Sequence, residues 1–425
     1  MLGRDENSSS LGLVTVAIDF GTTYSGYAFA FRHQPERIIL PIWSASGCKG
    51  LASKKTPCDI LLNGDGKFVA FGYAAREKYC DLRDDDDHQG YYYFRKFKME
   101  LHKRKSGLSY RTQLKDVNGK TLPAIKVFSM SIQYLKDKVL EHVKKTGPLV
   151  TENDLNWVLT VPAIWDEQAK YFMRKAAEEA GIPGKQLILA LEPEAASVYA
   201  KEINVRRSEG GLSPYEPGTK FMVLDLGAKD LKDVIIVGGF ADSFIIRKMI
   251  KEKFPDLTFV IPDEAELVVL KGAVLYGNNP NIVSERINKF TYGTEIHRFF
   301  LDGDDENKKI RIGGTSYCRS VFNKLAEIGQ PFKIGEVVQT EIYPLKADMT
   351  KMSVKFYQSS ERDPKYVDSD KCTFLGKIVV DMPDINGGLD RCVNVFVGFG
   401  DTELKITGQD ECSGSNVHAE LKLLD

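Results

Sequence analysis

The stretch Asp19-Phe20-Gly21-Thr22-Thr23-Tyr24-Ser25-Gly26 lies between two apolar runs, Val14-Thr15-Val16-Ala17-Ile18 before it and Tyr27-Ala28-Phe29-Ala30-Phe31 after it. The first run is mostly β-branched, and the pair predicts two strands around a tight turn. Asp19 then falls at the end of the first strand. Gly21 lets the backbone approach an anion, Thr22 and Thr23 offer hydroxyl and N–H groups, and successive backbone N–H groups form an anion-binding concavity. A carboxylate at Asp19 can hold a magnesium ion through water, because Mg²⁺ keeps part of its hydration shell. Read alone, the stretch fits a phosphate loop and a plain Gly- and Thr-rich hairpin turn equally well.

The rest of the chain sets the context. At 425 residues, it is long enough for two or three domains. Hydrophobic residues at 43% and charged residues at 28% are ordinary for a globular protein with a real core. A formal charge of −1 provides no global field toward nucleic acid or an anionic membrane, so neither is expected as a partner. The polar start Met1–Ser10 has no apolar segment of the secretory kind, and no apolar run is long enough to span a bilayer. Seven scattered cysteines without a C-x-x-C pair argue for a reducing compartment, with the cytoplasm as default and the nucleus as the alternative. The run Asp84–Asp87 reads as a solvated loop tip and not as a metal site.

Element types alternate through the middle of the chain. Helical spacing runs from Ser129 to Lys145, through Ile132, Leu135, Val139, Leu140 and Val143. A strand at Trp157–Val161, a helix from Asp166 to Gly181, a strand at Leu187–Leu191 and a helix from Glu194 to Ile203 follow. Residues 204–219 carry Ser, Gly and Pro and read as a linker. Further strands are expected at Phe221–Leu226 and Val234–Val237, with helices at Ser243–Lys253 and Glu264–Tyr276. This order predicts an α/β fold with a largely parallel sheet. From Phe290 onward, short alternating runs such as Val337–Tyr343, Met352–Tyr357, Cys392–Val397 and Glu403–Thr407 predict a separate all-β domain, a sandwich.

Several segments change the reading of Asp19–Gly26. Glu192-Pro193-Glu194-Ala195-Ala196 opens a helix, and Asp225-Leu226-Gly227 ends a strand. Val237-Gly238-Gly239-Phe240-Ala241-Asp242-Ser243 joins a strand to a helix, and Pro262-Asp263-Glu264-Ala265 opens the next. In this order they resemble the phosphate loops, adenosine loop and connecting helices of the actin-like ATPase (ribonuclease H-like) superfamily. Thr160-Val161-Pro162-Ala163-Ile164-Trp165, Tyr93-Phe94-Arg95-Lys96-Phe97-Lys98-Met99, Leu275-Tyr276-Gly277 and Phe399–Lys405 are similar to the heat shock 70 kDa family, in its divergent 12A/12B-like subfamily. The similarity runs over nearly the whole chain.

The resemblance implies ATP or ADP with Mg²⁺ as ligands, and client or partner proteins of unstated identity. It implies that Asp19, Gly21, Thr22, Thr23 and Tyr24 face phosphate, with Asp19 and Asp225 on the metal through water. Lys96 is implied as the catalytic lysine, with Lys98 as the alternative two positions on. Glu192 is implied to position metal and water, and Asp225 to be the second-lobe acid. Gly227 would belong to the second phosphate loop, while Gly238, Gly239, Phe240 and Asp263 would line the nucleoside. The implied organisation is a flexible tail at 1–13, a first lobe at 14–204, a remnant of the second lobe at 221–286 and a β-rich, substrate-binding-like domain at 287–425.

The pattern breaks at one place. The family's second phosphate loop reads Asp-x-Gly-Gly-Gly-Thr, whereas this chain has Asp225-Leu226-Gly227-Ala228-Lys229-Asp230. Only a handful of residues separate Gly227 from Val234, where relatives carry much of the second lobe. Parallel neighbouring strands normally need a crossover of about a dozen residues or more. The chain therefore reads as a shortened form of the family, whether an isoform, a paralogue or a gene model lacking the segment. Three functions follow from this. One is an ATP-binding, chaperone-related protein with impaired or absent hydrolysis. The second is an interaction module without nucleotide turnover. The third, a sugar kinase, would need a cleft between complete lobes.

Overall fold

The computed structural model describes residues 12–44, 52–103, 107–202, 221–223, 233–235, 243–255, 258–260, 262, 264–412 and 423. The chain divides into two compact units, Met1–Ile282 and Val283–Asp425. The second begins slightly before the expected position 287. The expected linker at 204–219 lies outside the described residues.

The first unit is built on a five-stranded sheet in the order Leu187–Leu191, Leu155–Val161, Val14–Phe20, Tyr24–Phe31, Thr56–Pro57. The first three strands are parallel, and Tyr24–Phe31 runs antiparallel to Val14–Phe20 with Asp19 opposite Gly26. Every residue of Val14–Phe20 is buried. A central strand covered on both faces needs such a continuous run instead of alternation. Phe20 meets Phe128 of the helix Ala124–Thr146 at 5.6 Å between ring centroids. Thr15, on the opposite face by strand alternation, donates to Asn278 Oδ1 of the helix Val268–Asn278 at 2.8 Å. The two helices thus cover opposite faces of the sheet.

Local sequence explains the helix boundaries. Ala124–Thr146 starts at Pro123, earlier than the apolar spacing from Ser129 suggests, because its first turn is already buried through Ala124, Ile125 and Val127. Asp166 caps the helix Glu167–Glu179 by accepting from Ala169 N at 2.8 Å. Gly181, at φ 81°, lies just beyond that helix, in the left-handed region where glycine is at ease. The helix expected from Glu264 starts instead with a tighter turn, Ala265–Leu267, before Val268–Asn278. This last helix sits very close to its neighbours. A Cβ on Gly272 would lie 1.7 Å from Ala195 O in the helix Glu192–Glu202, and one on Gly277 would lie 2.5 Å from Val158 Cγ2.

A three-stranded parallel sheet, Phe221–Val223, Asp233–Ile235 and Thr258–Val260, completes the unit. The helix Phe244–Lys253 lies between its last two strands in sequence. Its first pair is parallel, with Phe221 opposite Asp233, despite a connection shorter than a helical crossover needs. The Asp84–Asp87 run is exposed.

The second unit is β-rich, as its alternating runs imply. A five-stranded sheet has the order Lys309–Ile312, Thr315–Ala326, Thr291–Phe299, Lys351–Ser359, Cys372–Asp381. A three-stranded sheet has the order Val337–Ile342, Val393–Gly398, Lys405–Asp410. The two pack face to face where a Cβ on Gly408 would lie 2.6 Å from Val380 Cγ2. Arg391 is fully buried, at 1% exposure, and makes no ion pair among the described residues. Its guanidinium instead donates to the carbonyls of Gly388, Met382, Asp384, Ala347 and Met349.

Candidate functional site

The end of the central strand delivers Asp19 into a closed set of charges. Lys55 Nζ donates to Asp19 Oδ2 at 2.6 Å, and Thr160 Oγ1 donates to Oδ1 at 2.8 Å. Burial alone would raise the Asp19 carboxyl. The charges of Lys55 and Lys98, with the hydrogen bonds from Lys55 and Thr160, outweigh it and hold the group below the usual carboxylate range. Lys98 Nζ donates to Glu192 Oε1 at 2.8 Å, with the Lys98 side chain only 2% exposed. The same ammonium lies 5.2 Å from the centre of the Trp165 ring.

Each member is placed by local structure. Glu192 follows directly on the strand Leu187–Leu191 and opens the helix Glu192–Glu202, where an acid suits the helix dipole. Thr160 sits in the neighbouring strand Leu155–Val161, and Trp165 lies just after it, so the stretch Thr160–Trp165 meets the cluster at both ends. The turn after Asp19 is tight. A Cβ on Gly21 would lie 2.1 Å from Tyr24 O, so no side chain fits there. Thr22 is half-buried, while Thr23 and Tyr24 are exposed. Cys58 N donates to Thr23 O at 2.9 Å and braces the turn from the side.

The structure separates the two candidate lysines. Lys96, implied as catalytic, is exposed and sits at φ 49° between the strand Tyr92–Arg95 and a single tight turn, Phe97–Met99. Phe97 packs on Phe20 at 5.9 Å and on Phe128 at 5.0 Å. That anchor and the left-handed residue before it direct Lys98, not Lys96, into the cluster. Lys55 is a member that the sequence did not reveal, because in the run Ser53-Lys54-Lys55-Thr56 it is one more polar residue. Asp225, Gly227, Gly238, Gly239, Phe240 and Asp263 lie outside the described residues.

The residues present fit a phosphate-bearing ligand. Two ammonium groups belong to the cluster at the end of the strand that leads into the tight Gly21 turn, and the Trp165 indole N–H is buried with no hydrogen-bond partner among the described residues. Direct magnesium ligation by the Asp19 and Glu192 carboxylates would compete with their present donors, while contact through water would use their remaining lone pairs. Both Asp19 oxygens are engaged, and the Glu192 Oε1 atom is taken by Lys98.

Comparison with known proteins gives a consistent picture. No family model matches the chain. It is 24% identical to human heat shock 70 kDa protein 12B over 626 aligned residues, covering 97% of this chain and 91% of that protein. It is 25% identical to mouse heat shock 70 kDa protein 12A over 622, covering 97% and 92%. The chain is a homologue of heat shock 70 kDa proteins 12A and 12B. Both aligned lengths exceed the 425 residues present here, so these Hsp70 relatives carry residues that this homologue lacks. Among solved structures, the crystal structure of MreB5 of Spiroplasma citri bound to ADP matches with a TM-score of 0.26 and 13% identity, over 45% of this chain and 42% of that one. A likeness at that score carries no argument. Among the described residues, no helix is long and apolar enough to cross a membrane.

Proposed function

We propose that this Hsp70 12A/12B homologue is a chaperone-related protein that binds the phosphates of ATP or ADP and hydrolyses ATP weakly or not at all. The observation that carries this reading is the Asp19, Lys55, Lys98 and Glu192 cluster beneath the Gly21–Tyr24 turn. Lys98 and Lys55 would meet phosphate oxygens, and the turn would present backbone N–H groups to them. A bound nucleotide supplies a phosphoanhydride bond. The protein's own part is to position that group and offset its charge, which is most of what phosphoryl transfer requires. Weak turnover follows from the two carboxylates being tied to lysines and from the altered stretch Asp225–Asp230.

The resemblance adds a cytoplasmic setting, and the β-rich unit would carry the client-binding role. Calorimetry with ATP tests the nucleotide reading. Saturable binding that is lost in Lys98→Met, while the variant still melts cooperatively above the assay temperature, supports it. No heat at high protein concentration refutes it and leaves the interaction-module reading.

A further inference from the structure

A second cluster in the first unit surrounds a buried carboxylate and is separate from the Asp19 set. Asp59 is 2% exposed. Arg76 donates to its Oδ2 through Nε at 2.6 Å, Tyr93 donates through its hydroxyl at 2.8 Å, and Arg95 Nε lies 3.3 Å away. Both arginines therefore approach Asp59 by Nε, and their terminal nitrogens make no other hydrogen bond or ion pair among the described residues. Together they line a cleft of about 420 Å³. Arg83, one turn of the helix Tyr73–Asp84 from Cys80, joins them there; its carbonyl accepts from Asp86 N, and its guanidinium makes no hydrogen bond or ion pair among the described residues.

The cleft has an aromatic wall and an anionic deficit. Tyr79 and Tyr93 stack with ring centroids 4.1 Å apart and planes 20° apart. His88 also lines it, and its Nδ1 is buried without a hydrogen-bond partner, 3.9 Å from the exposed Asp86 carboxylate. None of the lining residues is acidic, and the carboxylates of Asp84–Asp87 are not part of the lining. Three guanidiniums line the cleft and one carboxylate, Asp59, pairs with two of them; the neighbouring carboxylates Asp86 and Asp116 face His88 and the backbone N–H groups of Tyr93 and Asn118 instead. Guanidinium forks held by a second-layer acid match the oxygens of a dianion well. The volume lies in the range of small-ligand pockets and exceeds what bare phosphate needs.

We propose that this cleft, lined by Arg76, Arg83, Arg95, His88 and the Tyr79–Tyr93 stack, binds a phosphomonoester carried on a ring-bearing group. The site is independent of the nucleotide reading. Asp59 orients the two arginines, and Arg83 closes on the ligand from the helix surface.

The test uses the full chain with Lys98→Met, which disables the proposed nucleotide contact, and titrates phenyl phosphate, ribose 5-phosphate and benzoate. Cys80 is exposed and lines the same cleft, so its alkylation, mapped by mass spectrometry, is a local readout. The expected result is saturable binding of a phosphomonoester but not of benzoate, protection of Cys80, and at least about a tenfold loss in Arg83→Ala. A preference for phenyl phosphate points to a phosphorylated aromatic side chain as the natural source, and one for ribose 5-phosphate to a sugar phosphate. The Arg83 guanidinium makes no hydrogen bond or ion pair among the described residues, so Arg83→Ala, which keeps the backbone contacts, should fold normally. Unchanged affinity in that variant, no protection of Cys80, or binding that appears only when Lys98 is intact each overturns the assignment.

Discussion

Lys98 Nζ lies 2.8 Å from Glu192 Oε1, while Lys96, two residues earlier, faces solvent. The two lysines are easily confused in sequence but make opposite predictions. Lys98→Met should weaken ATP binding roughly ten- to a hundredfold, the value of a charge-assisted hydrogen bond. Lys96→Met should leave it unchanged. Calorimetry on the two variants decides the matter, and equal losses would return the role to Lys96.

The Asp19–Lys55 pair makes the stability of the first unit depend on pH. The side chains are 8% and 13% exposed, so Asp19→Asn, which strands a lysine, should cost about 3 kcal/mol near neutral pH. The folded carboxyl titrates below its ordinary 3.8. Its contribution is therefore fully present above that value and fades as pH falls through the folded pKa. Urea midpoints of wild type and Asp19→Asn should differ most at pH 7 and converge in acid below the ordinary value. A gap that stays constant down to acid would rule out this linkage.

Gly272 tests the helix contact. Its Cβ would lie 1.7 Å from Ala195 O, so Gly272→Ala should destabilise by about 1–3 kcal/mol through overpacking. Gly90, with nothing within 4 Å of its would-be Cβ, serves as control. Gly90→Ala should shift stability by less than about 0.5 kcal/mol. Similar melting temperatures for the two variants would contradict the close approach.

The β-rich unit should stand alone. A fragment of residues 283–425 is expected to give a β-type circular dichroism spectrum and a cooperative melt, and a random-coil spectrum would reject the division. Within it, Arg391→Met leaves buried carbonyls without their donor and should cost about 3 kcal/mol or more.

The strands and helices of both units were readable because their signals are local. Val14–Phe20 is a continuous apolar run, and Met352–Tyr357 alternates along one strand. Glu192 was readable from its place between a strand and a helix. Lys55 was not, since its meaning lies in a carboxylate 36 residues away that only the folded sheet brings near. The burial of Lys98 and exposure of Lys96 turn on the sign of one backbone angle and on the burial of Phe97, neither of which spacing reveals. The arginine cleft was likewise invisible. Its members come from a helix, a strand and a turn, and Asp59 ties Arg76 of the helix to Tyr93 and Arg95 of the strand.

The seat of the helix Val268–Asn278 has one more consequence. It is formed by Ala195, Val158 and Thr15, all from the part of the chain before residue 203. The two flanks therefore clasp each other at backbone distance, and the stretch between them is an excursion whose ends are already fixed. Excursions of that kind can lengthen or shrink between relatives without dismantling the scaffold. The same stretch is the natural graft point for an engineered insertion.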